Sequence, residues 1–269
     1  MRVLLLGSTG YLGAWLLAAL RARGCTPVCA GRGAGDLHVD LADPAAVAAA
    51  VREARADLVL NAAAVALVGE CEREPERAMA VNGVAPGILA RAAPRVLQVS
   101  TDLVFDGVGA PYGAAAEPRP LSAYGRSKRA GELAVLAAGP AHLVARVPLL
   151  FGRSRDGRRG ATDMLRAAEA AGAEVVLFAD EYRTPLHAGD AAEALVALLL
   201  APGRRGIVHL AGPERLSRAE LGRRFVALHG LGAVRIRVAT SQDPLRPRDA
   251  SLIADVPARR SLDEMLRDA

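Results

Sequence analysis

The sequence predicts an α/β fold built on a doubly wound parallel sheet, and three observations carry that prediction. Short apolar runs alternate with helical patterns through the first half of the 269 residues. Those runs are continuously apolar, as strands covered on both faces must be. A glycine-rich turn joins the first run to the first helix.

Residues 3–6 read as the first strand, and 11–23 as a helix with Leu12, Leu16, Leu17 and Leu20 on one face. Residues 27–30 form the second strand. A helix follows over 44–54, with Asp43 as its N-cap and Pro44 at its first position. The third strand is 58–60, the next helix 76–92 and the fourth strand 96–100. A helix over 123–138, capped by Ser122, leads to the fifth strand at 143–147. Beyond Pro148 the rhythm breaks. Residues 152–160 read as a loop, 162–171 as a helix, 175–178 as a strand, 189–200 as a helix and 207–210 as a short strand. Ser217 and Glu220 form a capping box for a helix running to about His229. The remainder, with Pro244, Pro247 and Pro257, reads as irregular. The expected division is a nucleotide-binding domain over 1–147, rejoined by 187–210, and a small substrate-binding lobe from 148–186 and 211–269.

Composition narrows the function. No uninterrupted apolar run reaches the roughly 18 residues of a membrane span, and the first run is too short for a secretory leader. A cytoplasmic protein without a membrane partner is expected. Cys25, Cys29 and Cys71 are odd in number and form no Cys-x-x-Cys pair, so they read as buried free thiols. The histidines, His187 and His209 among them, show no metal spacing. The net charge of +5 comes from scattered arginines with few aromatics, a poor match for nucleic acid and a better one for small anions. Lys128 is the only lysine, and Asn61 and Asn82 are the only asparagines. A position that keeps lysine where arginine serves everywhere else points to a need for a compact ammonium.

The first turn reads Gly7-Ser-Thr9-Gly10-Tyr11-Leu12-Gly13 between strand and helix. Glycines there let backbone amides approach a pyrophosphate seated on the helix N-terminus, the arrangement of a Rossmann-type fold. After the second strand stands Arg32, where an NAD site keeps an acid for the ribose. A guanidinium suits a 2′-phosphate, so NADPH is the expected cofactor, with NADH left open. Asp40 and Leu41, just downstream, are placed to meet the adenine.

Tyr124 and Lys128 stand at i and i+4 in the first turns of a helix, so phenol and ammonium share a face. A nearby ammonium favours the phenolate and is expected to lower the tyrosine pKa, fitting Tyr124 to donate a proton. Thr101 ends the fourth strand, where ligands of open α/β sheets sit, and can donate to a carbonyl oxygen. Ser100 faces the other way, and Asp102 reads as a local cap.

These residues belong to a larger set. The glycine turn, Asn61-Ala62-Ala63-Ala64, Val81-Asn82, the Ser-Thr-Asp-Leu-Val-Phe-Asp-Gly stretch over 100–107, Pro111-Tyr112, Tyr-Gly-Arg-Ser-Lys over 124–128 with Gly131-Glu132, and Arg183-Thr184-Pro185 resemble one family. It is the dTDP-4-dehydrorhamnose reductase branch of the extended short-chain dehydrogenases, and the resemblance covers nearly the whole chain. It implies NADPH-driven reduction of a nucleotide-linked 4-keto-sugar by Thr101, Tyr124 and Lys128. It further implies that Asn61, Ala62, Ala63, Ala64 and Ser100 line the dinucleotide site, with Asn82 supporting the helix behind the lysine. Asp102, Val104, Phe105, Arg146 and Arg183 would meet the substrate. Residues 65–69 depart from the family's usual Tyr-Thr-x-Val-Asp, and the acid after Pro111-Tyr112 is Ala114. Two alternatives keep the fold: an epimerase or dehydratase that returns its hydride, and a non-catalytic nucleotide-sensing subunit. A homodimer stays open. The arginines over 153–159 read as a solvated loop rather than an anion lid.

Overall fold

The computed structural model describes residues 1–33 and 35–269. Strand β1 (Arg2–Leu6) leads through the glycine turn into α1 (Tyr11–Ala22), followed by β2 (Thr26–Gly31) and β3 (Leu37–His38). Next come α2 (Pro44–Ala54), β4 (Leu58–Asn61), α3 (Val68–Arg73) and α4 (Pro75–Ala78). A π-helical turn (Met79–Val84) joins α4 to α5 (Ala85–Ala92), and β5 (Val96–Thr101) runs into a 3₁₀ turn (Asp102–Val104). Then follow α6 (Ala123–Ala137), β6 (Leu143–Val147), β7 (Leu150–Phe151), α7 (Asp163–Ala171), β8 (Glu174–Phe178), β9 (Tyr182–Arg183) and β10 (Leu186–His187). The chain closes with α8 (Ala188–Leu200), β11 (Gly206–His209), β12 (Leu216–Ser217), α9 (Arg218–His229), β13 (Arg235–Ala239) and α10 (Leu262–Arg267).

Seven strands form one parallel sheet in the order β11-β6-β5-β4-β1-β2-β3. The order reverses between β1 and β4, which opens a crevice at the strands' carboxyl ends. Alternate residues of β1 serve opposite faces. Val3 and Leu5 pack with Leu16, Leu20, Leu195 and Val196 under α1 and α8. Leu4 and Leu6 pack with Val47, Val51 and Leu89 under α2 and α5. The doubly wound sheet expected from the apolar runs is therefore the one observed, with β11 at its edge. Among the described residues, no helix is long and apolar enough to cross a membrane.

The helix expected over 76–92 is broken, and Pro86 supplies the reason. Proline has no N–H for the carbonyl of Asn82, four residues back, and its ring crowds that carbonyl. A π turn over Met79–Val84 absorbs the misfit. Helix α6 backs directly onto it: a Cβ on Gly131 would lie 2.2 Å from the Asn82 oxygen. Two elements were not expected in the region read as irregular. Strand β13 pairs in parallel with β8, and α10 starts on a capping box of Ser261 and Glu264. The thiols are free, as expected, with Cys25 and Cys71 buried but Cys29 partly exposed.

One ion pair anchors α6 to the sheet. Arg146 of β6 grips Glu132 with two bonds, Nε to Oε1 at 2.9 Å and Nη2 to Oε2 at 2.8 Å, and both side chains are wholly buried. Burial alone would raise the Glu132 pKa, but Arg146, Ser100 and Arg129 together bring it below the usual carboxylate range. Arg146 also stacks on the Phe105 ring at 5.0 Å and meets His209 Nε2 at 3.2 Å. Burial, and then the Arg146 charge, lower the His209 pKa to about 4. Arg146→Met removes the two-bond partner of Glu132 and leaves its buried carboxylate with Arg129 and Ser100 alone. The expected loss is roughly 3–5 kcal/mol of unfolding free energy, measured by denaturant titration.

Candidate active site

The glycine turn lies flush on the crevice because its backbone leaves no room for side chains. A Cβ on Gly7 (φ +85°) would fall 2.7 Å from the Ala63 nitrogen, and one on Gly13 would fall 1.9 Å from the Gly7 oxygen. Gly10 N–H donates to the Gly7 carbonyl at 2.9 Å and closes the turn. Helix α1 then begins with no side-chain cap and no acid in its first turn. Among the described residues, no backbone acceptor serves the amides of Tyr11, Leu12 and Gly13. Free amides at a helix N-terminus beside a glycine turn fit a dinucleotide's pyrophosphate. Thr9 is exposed, Leu12 is partly buried, and Tyr11 turns away to donate to the Gly152 carbonyl at 3.0 Å.

Arg32 is exposed just beyond β2, with no ion pair or hydrogen bond to its side chain among the described residues. Asp40 accepts the Ala42 amide at 3.0 Å, and Leu41 is buried in the core beneath it. Ala62, Ala63 and Ala64 form the opposite rim, from part-buried to exposed. Asn61 is a correction to the expected lining. Its side chain is wholly buried, donates to Gln98 Oε1 at 2.7 Å and accepts the Ala63 amide at 3.2 Å. It shapes the rim that Gly7 packs against, and cannot reach a ligand. Asn82 likewise sits behind the site, accepting the Val65 amide at 2.9 Å and donating to Ser127 Oγ at 3.0 Å.

Helix α6 carries Tyr124 and Lys128. Ser122 caps it through the Gly125 amide at 3.1 Å, and Glu72 of α3 accepts the Ala123 amide at 2.6 Å. The first turn presses against the end of β5, since a Cβ on Gly125 would lie 2.3 Å from the Leu103 oxygen. That contact sets Tyr124 beside Thr101. Lys128 is buried, with Nζ donating to the Val99 carbonyl of β5 at 2.6 Å. Burial brings the Lys128 pKa down to about 8, against the opposing charge of Glu132. The Tyr124 phenol shifts upward, first by burial and then by the nearby Asp102 and Cys71, while its hydrogen bond with Thr101 works the other way. The expected lowering by Lys128 is absent. The lysine points at the strand backbone, so the phenol stays protonated.

The Thr101 hydroxyl accepts the Leu103 amide at 3.2 Å and donates to Asp102 Oδ1 at 3.1 Å. Asp102 is buried, its other oxygen 3.4 Å from Arg183 Nε, and burial pushes its carboxyl up against the pull of that arginine. Several residues expected at the ligand belong elsewhere. Ser100 donates to Glu132 at 2.6 Å inside the protein. Val104 and Phe105 are wholly buried in a small core, Phe105 stacked on Tyr112 with ring centroids 4.0 Å apart. Arg146 is taken by Glu132. Arg183 is engaged with Asp102 and the Tyr182 carbonyl rather than presented for a phosphate. Strand alternation, read two residues further, would have turned Ser100 inward. Two supports went unread: Glu132, one turn beyond the lysine, and Glu72, whose target is distant in sequence.

The family described as RmlD substrate binding domain matches residues 1–262. A dTDP-4-dehydrorhamnose reductase of Streptomyces griseus is 37% identical over 256 residues, covering 91% of this chain and 82% of that protein. A probable low-salt glycan biosynthesis reductase of Haloferax volcanii is 35% identical over 261 residues, covering 90% and 84%. The structure of a dTDP-4-dehydrorhamnose reductase from Clostridium acetobutylicum superposes with a TM-score of 0.87 at 25% identity, over 99% of this chain and 97% of that one.

The buried lysine has a measurable signature. Its pKa near 8 in the folded protein lies below the 10.5 of a free lysine, so between these values the unfolded chain holds a proton that the folded chain lacks. Stability should therefore climb as pH rises from about 8 toward 10.5. Lys128→Met should lose that climb and melt no lower than wild type at neutral pH. The Val99 carbonyl keeps Gln98 Nε2 at 2.9 Å as a donor. Thermal melts across the pH series check this.

Proposed function

This chain belongs to the RmlD substrate binding domain family, and from that membership we propose that it is an NADPH-dependent reductase of a nucleotide-linked 4-keto-sugar. One observation supports this most: the only lysine of the chain is buried on the same helical face as Tyr124, whose phenol adjoins Thr101 at the end of β5. The relatives named as reductases and the uncapped glycine cradle support the same reading.

When bound, the reduced nicotinamide supplies hydride to the carbonyl carbon. The residues of this chain manage the oxygen. Thr101 and Tyr124 hold it at the edge of the sheet, where the glycine turn and the start of α6 converge. As charge develops there, the Tyr124 O–H delivers its proton, and its raised pKa keeps that proton in place until it is needed. Lys128, one turn behind on the same face, is held by the Val99 carbonyl and would supply positive charge behind the site when protonated. Cradle amides of Tyr11, Leu12 and Gly13 would take the pyrophosphate, and Arg32 the 2′-phosphate. Residues 148–186 and 211–269 would form the lobe over the sugar.

Three measurements test the reading. NADPH oxidation with a dTDP-4-keto-6-deoxy sugar should release stoichiometric free NADP⁺; oxidised cofactor held through turnover would favour a hydride-returning epimerase instead. Tyr124→Phe should lower kcat by about 10²-fold or more with NADPH affinity nearly unchanged. Arg32→Ala should weaken NADPH by roughly tenfold or more while leaving NADH alone, as judged by fluorescence titration.

A further inference from the structure

The arginine-rich segment between β7 and α7 is folded onto the phosphate turn, contrary to the solvated loop expected from its composition. Its organiser is Asp163, the buried first residue of α7. That carboxylate collects the amides of Ser154, Arg159 and Gly160 at 3.1, 3.2 and 2.8 Å, together with the Ser154 hydroxyl. Two aromatic residues of α1 fasten the segment from below. Tyr11 donates to the Gly152 carbonyl at 3.0 Å, and Trp15 Nε1 to the Arg153 carbonyl at 3.3 Å. Gly160 closes the fold, since a Cβ there would lie 2.3 Å from the Gly152 oxygen and 3.1 Å from the Tyr11 hydroxyl.

The outcome is a cluster of cations at the glycine turn. Arg159 Nη1 reaches the Thr9 carbonyl at 3.4 Å, and its Nε holds Asp156 at 2.9 Å. Arg153, Arg155 and Arg158 are exposed, and no acid pairs with them among the described residues. Four arginines stand against two aspartates, Asp156 and Asp163, and an anion at this place would offset the surplus of positive charge. A guanidinium has five donors in a planar fork, and Arg159 has committed two of them.

We propose that Arg159, supported by Arg158, is a second phosphate-binding element that clamps the cofactor's diphosphate against the glycine turn. The proposal rests on the dinucleotide reading of that turn. It assigns to the segment over 152–163 a role in cofactor affinity that Arg32 does not share: Arg32 would read the 2′-phosphate, whereas Arg159 would grip the diphosphate common to NADPH and NADH. The diphosphate of a nucleotide-sugar has the same chemistry, and the test separates the two sources.

Wild type, R159A, R159K and the R158A/R159A double variant are titrated with NADPH, NADH and dTDP at low and high ionic strength, binding being followed by fluorescence and calorimetry. R159A should weaken both dinucleotides alike, by about tenfold for one lost charge-assisted bond. The double variant should lose more and show a shallower salt dependence, and R159K should recover only part. Affinity for dTDP should not change. Arg155→Ala, on the same segment but without contact to Thr9, should weaken the dinucleotides far less than R159A does. Melting points without cofactor show that the variants fold. Unchanged dinucleotide affinity in R159A, a loss confined to NADPH, or a loss for dTDP alone would each overturn the clamp while leaving the dinucleotide site standing. Failure of wild type to bind either dinucleotide would instead overturn the reading of the glycine turn itself.

Discussion

The position of Tyr124 and Lys128 depends on a wholly buried carboxylate, that of Glu132. Tyr124, Lys128 and Glu132 follow one another at four-residue steps, so they form one stripe along α6. Glu132 ties the far end of that stripe to two strands at once, to β5 through Ser100 and to β6 through Arg146. The near end is held by the Ser122 and Glu72 caps and by the close approach of Gly125 to Leu103. With both ends fixed, the lysine cannot slide along the strand. A buried ion pair is a poor way to gain stability, because desolvation offsets most of the attraction. Its two directed bonds and the serine nevertheless define one register of helix on sheet, and an apolar contact would not.

Close backbone contact is the second constraint, and it explains where glycines stand. Gly7 against Ala63, Gly13 against Gly7, and Gly131 against Asn82 each leave less than 3 Å for a Cβ. The first two bring α1 and the rim after β4 down to the crevice floor. The third lets α6 sit against the π turn, where Asn82 reaches both Val65 and Ser127. Each of the chain's two asparagines therefore spends its side chain on the loop that follows β4. One shapes that loop from the sheet side, the other from the helix side.

Much of the frame was legible in the sequence because its signals are local. Continuous apolar runs gave the central strands, Asp43-Pro44 and Ser217–Glu220 gave helix starts, and the glycine turn gave the crevice. What escaped depends on distant partners. Nothing near Arg146 in sequence announces Glu132, and strand alternation turns Ser100 away from Thr101 without naming the carboxylate it meets. Val104 and Phe105 follow Thr101 closely, yet their place is set by Tyr112, Ala211 and Leu252. Pro86 is a local signal for the broken helix, and Ser261–Glu264 for α10; both are weaker than the longer apolar patterns beside them. The arginine-rich segment misled for a different reason. Its composition is that of a solvated loop, and the carboxylate that organises it lies outside it, at the start of the next helix.

The protonation states of the pair show why burial and catalysis are compatible here. Sequence spacing alone suggests that the ammonium acidifies the phenol. In the folded chain both groups move toward their neutral forms instead, the lysine downward and the tyrosine upward, because the interior penalises charge on either. A neutral phenol is the correct starting state for a proton donor, so its upward shift does no harm to a reduction. The lysine is the group under strain. Glu132 nearby favours its charged form, and an anionic ligand in the crevice would favour it further by the same electrostatics. Ligand charge and lysine protonation are thus coupled. An anion bound there would meet a more fully charged lysine than the empty crevice holds.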